Sequence, residues 1–202
     1  AQFQAAEALL ASALAYKDEP NSIIVEAFAV EAVTDLHEQL ALLDRLNNVS
    51  LDFEWNIDPA LPLYEPEGLG VAVADRTWYF PFWALDFTPP TGYDIAIRER
   101  VQATMARTPT VWHNAKADMG SQWQGAPLDA FGFPIHDTLV MAFCAGETEL
   151  ALKPLARSRL GRDPLDFPGA MRNLPLETCR RYGGADARNT YDLFGSLWRT
   201  LQ

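Results

Sequence analysis

The sequence predicts an α/β domain, a mixed central β-sheet with helices on both faces. Three observations carry this reading. Runs of strand character dominate from residue 23 to residue 83, helical periodicity dominates from residue 93 onwards, and a short strand-like run at 110–113 interrupts the helical part and passes straight into another helix. With 202 residues, 49% apolar and 21% charged, the chain is long enough for one well-packed core and too short for two of ordinary size.

Residues 1–22 read as an Ala-rich lead without the charged-then-apolar layout of a signal peptide, and 23–202 as the domain. The stretch 23–32 (IIVEAFAVEA) alternates loosely and suits a strand. Thr34 is the expected cap of a helix over 35–46, whose apolar positions are Leu36, Leu40, Leu43 and Leu46, and Asn47-Asn48 stops it. Residues 49–55 (VSLDFEW), β-branched and aromatic with period two, make the clearest strand. An acidic, Pro-rich loop over 58–67 leads into a hairpin of 69–74 and 77–83 about Asp75-Arg76, so these three strands are expected to be antiparallel neighbours. Helix 93–106 stops at Pro109, strand 110–113 runs parallel to 49–55, and helix 114–122 follows. Helical patterns then cover 137–145, 151–160 and 176–201, broken by Gly146, Gly161 and the Pro loop 163–168.

Composition excludes several classes of function. No apolar run approaches the length of a membrane span. Cys144 and Cys179 fall in no CxxC or CxxH spacing, which removes Cys-rich zinc sites and suits a reducing, cytoplasmic compartment. His37, His113 and His136 lack the spacing of a zinc hydrolase. Gly68-Leu69-Gly70 lacks the following glycine and helix of a phosphate cradle and reads as a turn. The net charge of −11 argues at first against a nucleic-acid partner, but it is polarised. Residues 1–97 hold three Lys plus Arg against sixteen Asp plus Glu, or −13, and residues 98–202 hold thirteen against eleven, or +2. Carboxylates that hold divalent cations would offset part of that charge.

Three short patterns bring carboxylates to element ends. Asp52 and Glu54 stand two apart on the strand 49–55, so both project from one face. Two such carboxylates repel, and a hard divalent cation between them is one answer; a strand with one solvated face is the other. Asn114 and Asp118, four apart just beyond a strand end, would share one face of a helix, although an acidic first turn also simply suits the helix dipole. Tyr182 and Asp186 repeat the four-residue spacing on the last helix, where a buried phenol bonded to its neighbouring Asp is an equally ordinary reading.

Together, LDFEW at 51–55, HNAKAD at 113–118 and YGGAD at 182–186 resemble the three motifs of the 3′→5′ proofreading exonuclease domain of family A (DNA polymerase I-like) DNA polymerases, within the DEDD exonuclease superfamily. Asp137-Thr138 and Leu152-Lys153-Pro154-Leu155-Ala156 are similar to the stretch between the second and third motifs, and the resemblance extends from about residue 23 to the C-terminus. Tyr at 182, four residues before Asp186, is the mark of the tyrosine subgroup, which also includes RNase D and Werner-type exonucleases. Trp55 departs from the Thr that commonly follows the first-motif Glu, and the loop 56–67 is longer and richer in Pro than is usual there.

The resemblance implies an RNase H-like fold and two-metal phosphodiester hydrolysis. Asp52, Glu54 and Asp186 would hold one Mg²⁺ or Mn²⁺, Asp52 and Asp118 a second, and Tyr182 would orient the attacking water. It implies Asn114 as a contact to the terminal nucleotide and Ile57 or Leu61 as the residue that wedges the last base. Lys116, Arg157, Arg159, Arg162, Arg180, Arg181 and Arg188 are candidate phosphate contacts, each also readable as a solvated helix position, and Trp123, Phe131 and Phe133 are candidates for stacking on bases. The implied partner is a single-stranded or frayed DNA 3′ end, with a polymerase domain or replication protein beside it. RNA trimming of the RNase D kind and a catalytically silent module are the alternatives.

Overall fold

The computed structural model describes residues 29–55, 66–82, 93–122, 132–166 and 171–202. Their strands are β1 (Val30–Ala32), β2 (Val49–Trp55), β3 (Pro66–Ala72), β4 (Thr77–Pro81), β5 (Thr110–Trp112) and β6 (Ile135–Asp137). They form one sheet in the order β1-β4-β3-β2-β5-β6. The ladders β2·β3 and β3·β4 are antiparallel, while β1·β4, β2·β5 and β5·β6 are parallel. The mixed sheet, its antiparallel triplet and the parallel strand beside β2 are those the sequence predicts.

Six helices accompany these strands among the described residues: α1 (Leu36–Arg45), α2 (Tyr93–Met105), α3 (Ala115–Gln122), α4 (Thr138–Cys144), α5 (Leu152–Leu160) and α6 (Leu176–Leu201). Alternation along the strands divides them between the two faces. Leu51 and Phe53 of β2, Leu69 and Val71 of β3 and Trp78 and Phe80 of β4 pack with Leu43, Ile97, Val101 and Met105 of α1 and α2. On the other face Ala72 and Val111 meet Ala187, Tyr191 and Phe194 of α6, and Val30 and Tyr79 meet Cys179 and Tyr182. Asp52 and Glu54, out of step with Leu51 and Phe53, therefore point to the α6 face.

Several expectations need correction. Asp35, not Thr34, caps α1, its carboxylate accepting from the Glu38 amide at 2.9 Å. β3 begins at Pro66 rather than 69, so Pro66 and Glu67 belong to the strand and not to the loop, and Gly68-Leu69-Gly70 is strand rather than turn. β4 ends at Pro81 and β5 at Trp112, one to two residues early. Asn114 does not belong to α3. Its φ of 62° lies in the left-handed region, which Asn tolerates better than most residues, so it forms the turn between β5 and α3, and the shared helix face with Asp118 does not exist. β6 was not expected, since three residues carry too little pattern to read. The lead 1–22, most of the strand expected at 23–32, Ile57, Leu61, Trp83, Trp123 and Phe131 lie outside the described residues.

Candidate metal centre

Helix α6 lies directly on the sheet because glycines meet there. Gly70 and Gly68 pair across the ladder with Asp52 and Glu54 respectively. A Cβ on Gly70 would stand 2.2 Å from the Gly183 carbonyl oxygen, and one on Gly183 would meet the Tyr79 ring at 2.6 Å and Glu54 Oε1 at 3.1 Å. With no side chains in the way, the α6 backbone settles against β3, and the residues flanking Gly183 and Gly184 are carried to the carboxylates of β2. Those residues are Tyr182 and Asp186.

Asp52, Glu54 and Asp186 consequently each offer a carboxylate oxygen within 4.8 Å of the others. Glu54 and Asp186 are buried and Asp52 is half-buried. Asp118 is buried beside them. β2 pairs with β5 only through Val49 and Ser50, and further along, the Phe53 amide donates instead to Asp118 Oδ1 at 3.2 Å. This bond fixes the first turns of α3 against the strand that carries Asp52 and Glu54. The turn before α3 is held in its own way: Asp137 accepts from the amides of Asn114 at 3.0 Å and Ala115 at 2.9 Å while also capping α4 through the Leu139 amide. Thr138, donating to the Trp112 carbonyl, stands 2.8 Å from His113 Nδ1, and burial lowers that imidazole to about 4, so it is neutral near neutral pH.

Four clustered carboxyls without a cation hold on to protons. Burial, and then the charges of Glu54, Asp118 and Asp186, raise Asp52 well above the ordinary carboxylate range. Burial, and then the charges of Asp186 and Asp118, raise Glu54 as well, against the Lys153 ammonium, and a hydrogen bond joins the two carboxyls. Burial lifts Asp118 to about 7, against the pull of the Phe53 amide. Burial lifts Asp186 to about 6, opposed by the Lys153 ammonium and by the bond from Tyr182. Glu54 Oε1 is buried without a hydrogen-bond partner among the described residues. An all-carboxylate donor set in which one buried oxygen has no hydrogen-bond partner fits a hard divalent cation.

Lys153, at the start of α5, was not anticipated as a site residue. Its Nζ donates to the Tyr182 hydroxyl at 3.1 Å and lies 4.3 Å from the ring centroid. The sequence places Lys153 at a helix start, and nothing in its spacing links it to a phenol 29 positions away. The candidate phosphate contacts fare unevenly. Arg188 is 1% exposed and bonds the Val73 and Ala74 carbonyls and Asp192, so it is a core residue. Arg162 pairs with Asp192 and Asn189, Arg159 with Glu147, Arg157 with Asp163, and Arg180 with Glu177 and the Val30 carbonyl. Lys116 and Asn114 are exposed beside Asp118, Arg181 is exposed next to Tyr182, and Phe133 is half-buried.

No protein-family model matches the chain, and no curated protein sequence does. Solved structures do resemble it. The EXO domain of Aedes aegypti Nibbler is 18% identical, with a TM-score of 0.64 over 90% of this chain and 93% of that one. RNase D of Trypanosoma brucei is 13% identical, with a TM-score of 0.63 over 86% of this chain and 66% of that one. The POL domain of Pol1 from M. smegmatis, in complex with DNA primer-template and dNTP, is 16% identical, with a TM-score of 0.53 over 84% of this chain and 27% of that one. Among the described residues no helix is long and apolar enough to cross a membrane. At these identities the likeness is one of architecture, and the chain has the RNase H-like α/β fold of these nuclease neighbours.

Proposed function

We propose that this protein is a metal-dependent 3′→5′ exonuclease of the tyrosine subgroup of the DEDD superfamily, hydrolysing phosphodiester bonds from the 3′ end of DNA and releasing nucleoside 5′-monophosphates. The observation that carries this reading is the convergence of Asp52, Glu54 and Asp186, drawn from a strand and a distant helix, to within 4.8 Å on a fold shared with an EXO domain and RNase D. Three remote carboxyls brought together in a buried place are costly unless a cation or a proton compensates them.

Asp52, Glu54 and Asp186 would hold one divalent cation, Mg²⁺ or Mn²⁺, and Asp52 with Asp118 a second. Bound there, such cations would supply an activated water and neutralise charge growing on the phosphate oxygens. The Tyr182 hydroxyl is pushed far above its ordinary pKa by burial and by Asp186, Glu54 and Asp52, so it stays protonated at any working pH. It therefore orients the attacking water through a hydrogen bond and does not serve as its base. Asn114 and Lys116, exposed at the start of α3, would meet the terminal nucleotide and its phosphate, with Arg181 as a further phosphate contact and Ile57 or Leu61 as the base wedge. The resemblance to family A proofreading domains makes a frayed 3′ end the natural substrate and a polymerase domain or replication protein the natural partner.

A second reading, RNA trimming, is favoured by the better overlay on RNase D than on Pol1, and by a structure of that RNase D in complex with RNA U12. Matched 5′-labelled DNA and RNA oligonucleotides in one Mg²⁺ buffer separate the two. The proposal expects a ladder shortening from the 3′ end on DNA; a ladder on RNA alone selects the second reading, and none on either rejects both.

A further inference from the structure

Lys153 extends its ammonium to Tyr182 at the edge of the acidic group, and the direction of that bond has a consequence for the hydroxyl. An ammonium has donors only, so at 3.1 Å the Tyr182 oxygen accepts from Lys153, and the single hydroxyl hydrogen is left for another acceptor. Asp186, one helical turn along α6, takes it. The order Lys153 to Tyr182 to Asp186 thus removes the free rotation that a phenol hydroxyl otherwise keeps.

Its surroundings set Lys153 apart from the other cations nearby. Arg157, Arg159 and Arg162 are spent in ion pairs with Asp163, Glu147 and Asp192. Lys153 occupies the first turn of α5, where the helix dipole disfavours a cation, so its place does not serve the helix. Pro154 beside it is harmless in a first turn, and Leu155 and Ala156 are fully buried, which gives the side chain a rigid base. The ammonium lowers both Glu54 and Asp186, so its charge is felt inside the acidic group.

We propose that Lys153 is a positioning residue of the nuclease: it fixes the Tyr182 hydroxyl with its hydrogen on Asp186, so that the phenol oxygen is held in one orientation beside the attacking water. This rests on the exonuclease reading of the site. Lys153 acts through Tyr182 and does not itself touch the strand.

A double-mutant cycle on the full chain tests it. Lys153→Met should lower kcat about ten-fold while KM stays within about two-fold, and Lys153→Arg should recover most of the loss. In a Tyr182→Phe background Lys153→Met should cost little more, because the hydroxyl it holds is gone. In the metal-free, substrate-free protein the Tyr182 ¹³Cζ resonance should move in Lys153→Met and move back in Lys153→Arg. Should Lys153→Met fail to fold, Lys153→Ala, which also removes the donor, carries the same comparisons. Wild-type kcat in Lys153→Met, a loss confined to KM, additive losses in the double variant, or an unmoved resonance would each overturn the assignment. An active wild type with an indifferent Lys153→Met rejects the role of Lys153 alone, whereas a wild type inert on every oligonucleotide rejects the exonuclease reading beneath it.

Discussion

Gly70 of β3 and Gly183 of α6 touch backbone to backbone: a methyl group on Gly70 would stand 2.2 Å from the Gly183 carbonyl oxygen. Asp52 is the cross-strand neighbour of Gly70, and Tyr182 and Asp186 flank Gly183 on the helix, so this single approach sets the distance between the first and last acidic motifs.

Gly70→Ala should accordingly destabilise the protein by about 1–3 kcal/mol, since the obstacle is backbone that no side-chain rotation relieves. Thermal unfolding checks it, and the remaining folded fraction should bind Mn²⁺ more weakly than wild type in calorimetric titration. Unchanged stability would mean that α6 does not press on β3 here.

Stability without metal should fall as pH rises from about 5 to about 8. Asp186 and Asp118 are raised to about 6 and about 7. A raised carboxyl favours folding while protonated, and that contribution is lost as pH climbs through its folded-state pKa. Added Mg²⁺ or Mn²⁺ should reverse the fall, so the metal-induced rise in Tm should be larger at pH 8 than at pH 5.5. A metal-induced rise independent of pH would contradict the cluster.

Asp52→Ala should abolish turnover yet leave the metal-free Tm equal to or above wild type, because one of four mutually repelling carboxyls is removed. Circular dichroism melting and a nuclease assay on the same sample read both. An unfolded variant would make Asp52 a structural residue.

Tyr182→Phe deletes one hydroxyl and keeps the ring. Its stability cost should stay within about 1–1.5 kcal/mol. If the hydroxyl orients the water, kcat should drop about ten-fold or more at nearly constant KM. Wild-type turnover would reduce Tyr182 to a packing role.

How far the sequence reveals this molecule follows from how local each signal is. The strand 49–55 and the helix 176–201 are legible because long, regular apolar patterns specify them, and the structure has them at those residues. The pairing of β2 with β3 and β4 follows from their order and the tight Asp75-Arg76 turn. Other features depend on distant partners. Glycines at 68 and 70 look like a turn until α6 is laid over them, and the backbone of Asn114 is set by Asp137, 23 positions on. Arg188 looks like a surface cation, but Asp192 and two carbonyls of the β3–β4 turn bury it. The link from Lys153 to Tyr182 exists only once α5 and α6 pack.

Single-stranded DNA labelled on its 3′-terminal nucleotide, incubated with the protein in Mg²⁺ or Mn²⁺ and in chelator, decides whether the acidic group is a nuclease centre. The label should leave first and as a nucleoside 5′-monophosphate, only when metal is present, and not with Asp52→Ala. Label retained on the strand in the presence of metal, released as a longer oligonucleotide, or released equally by Asp52→Ala would rule out a metal-dependent 3′→5′ exonuclease at this site.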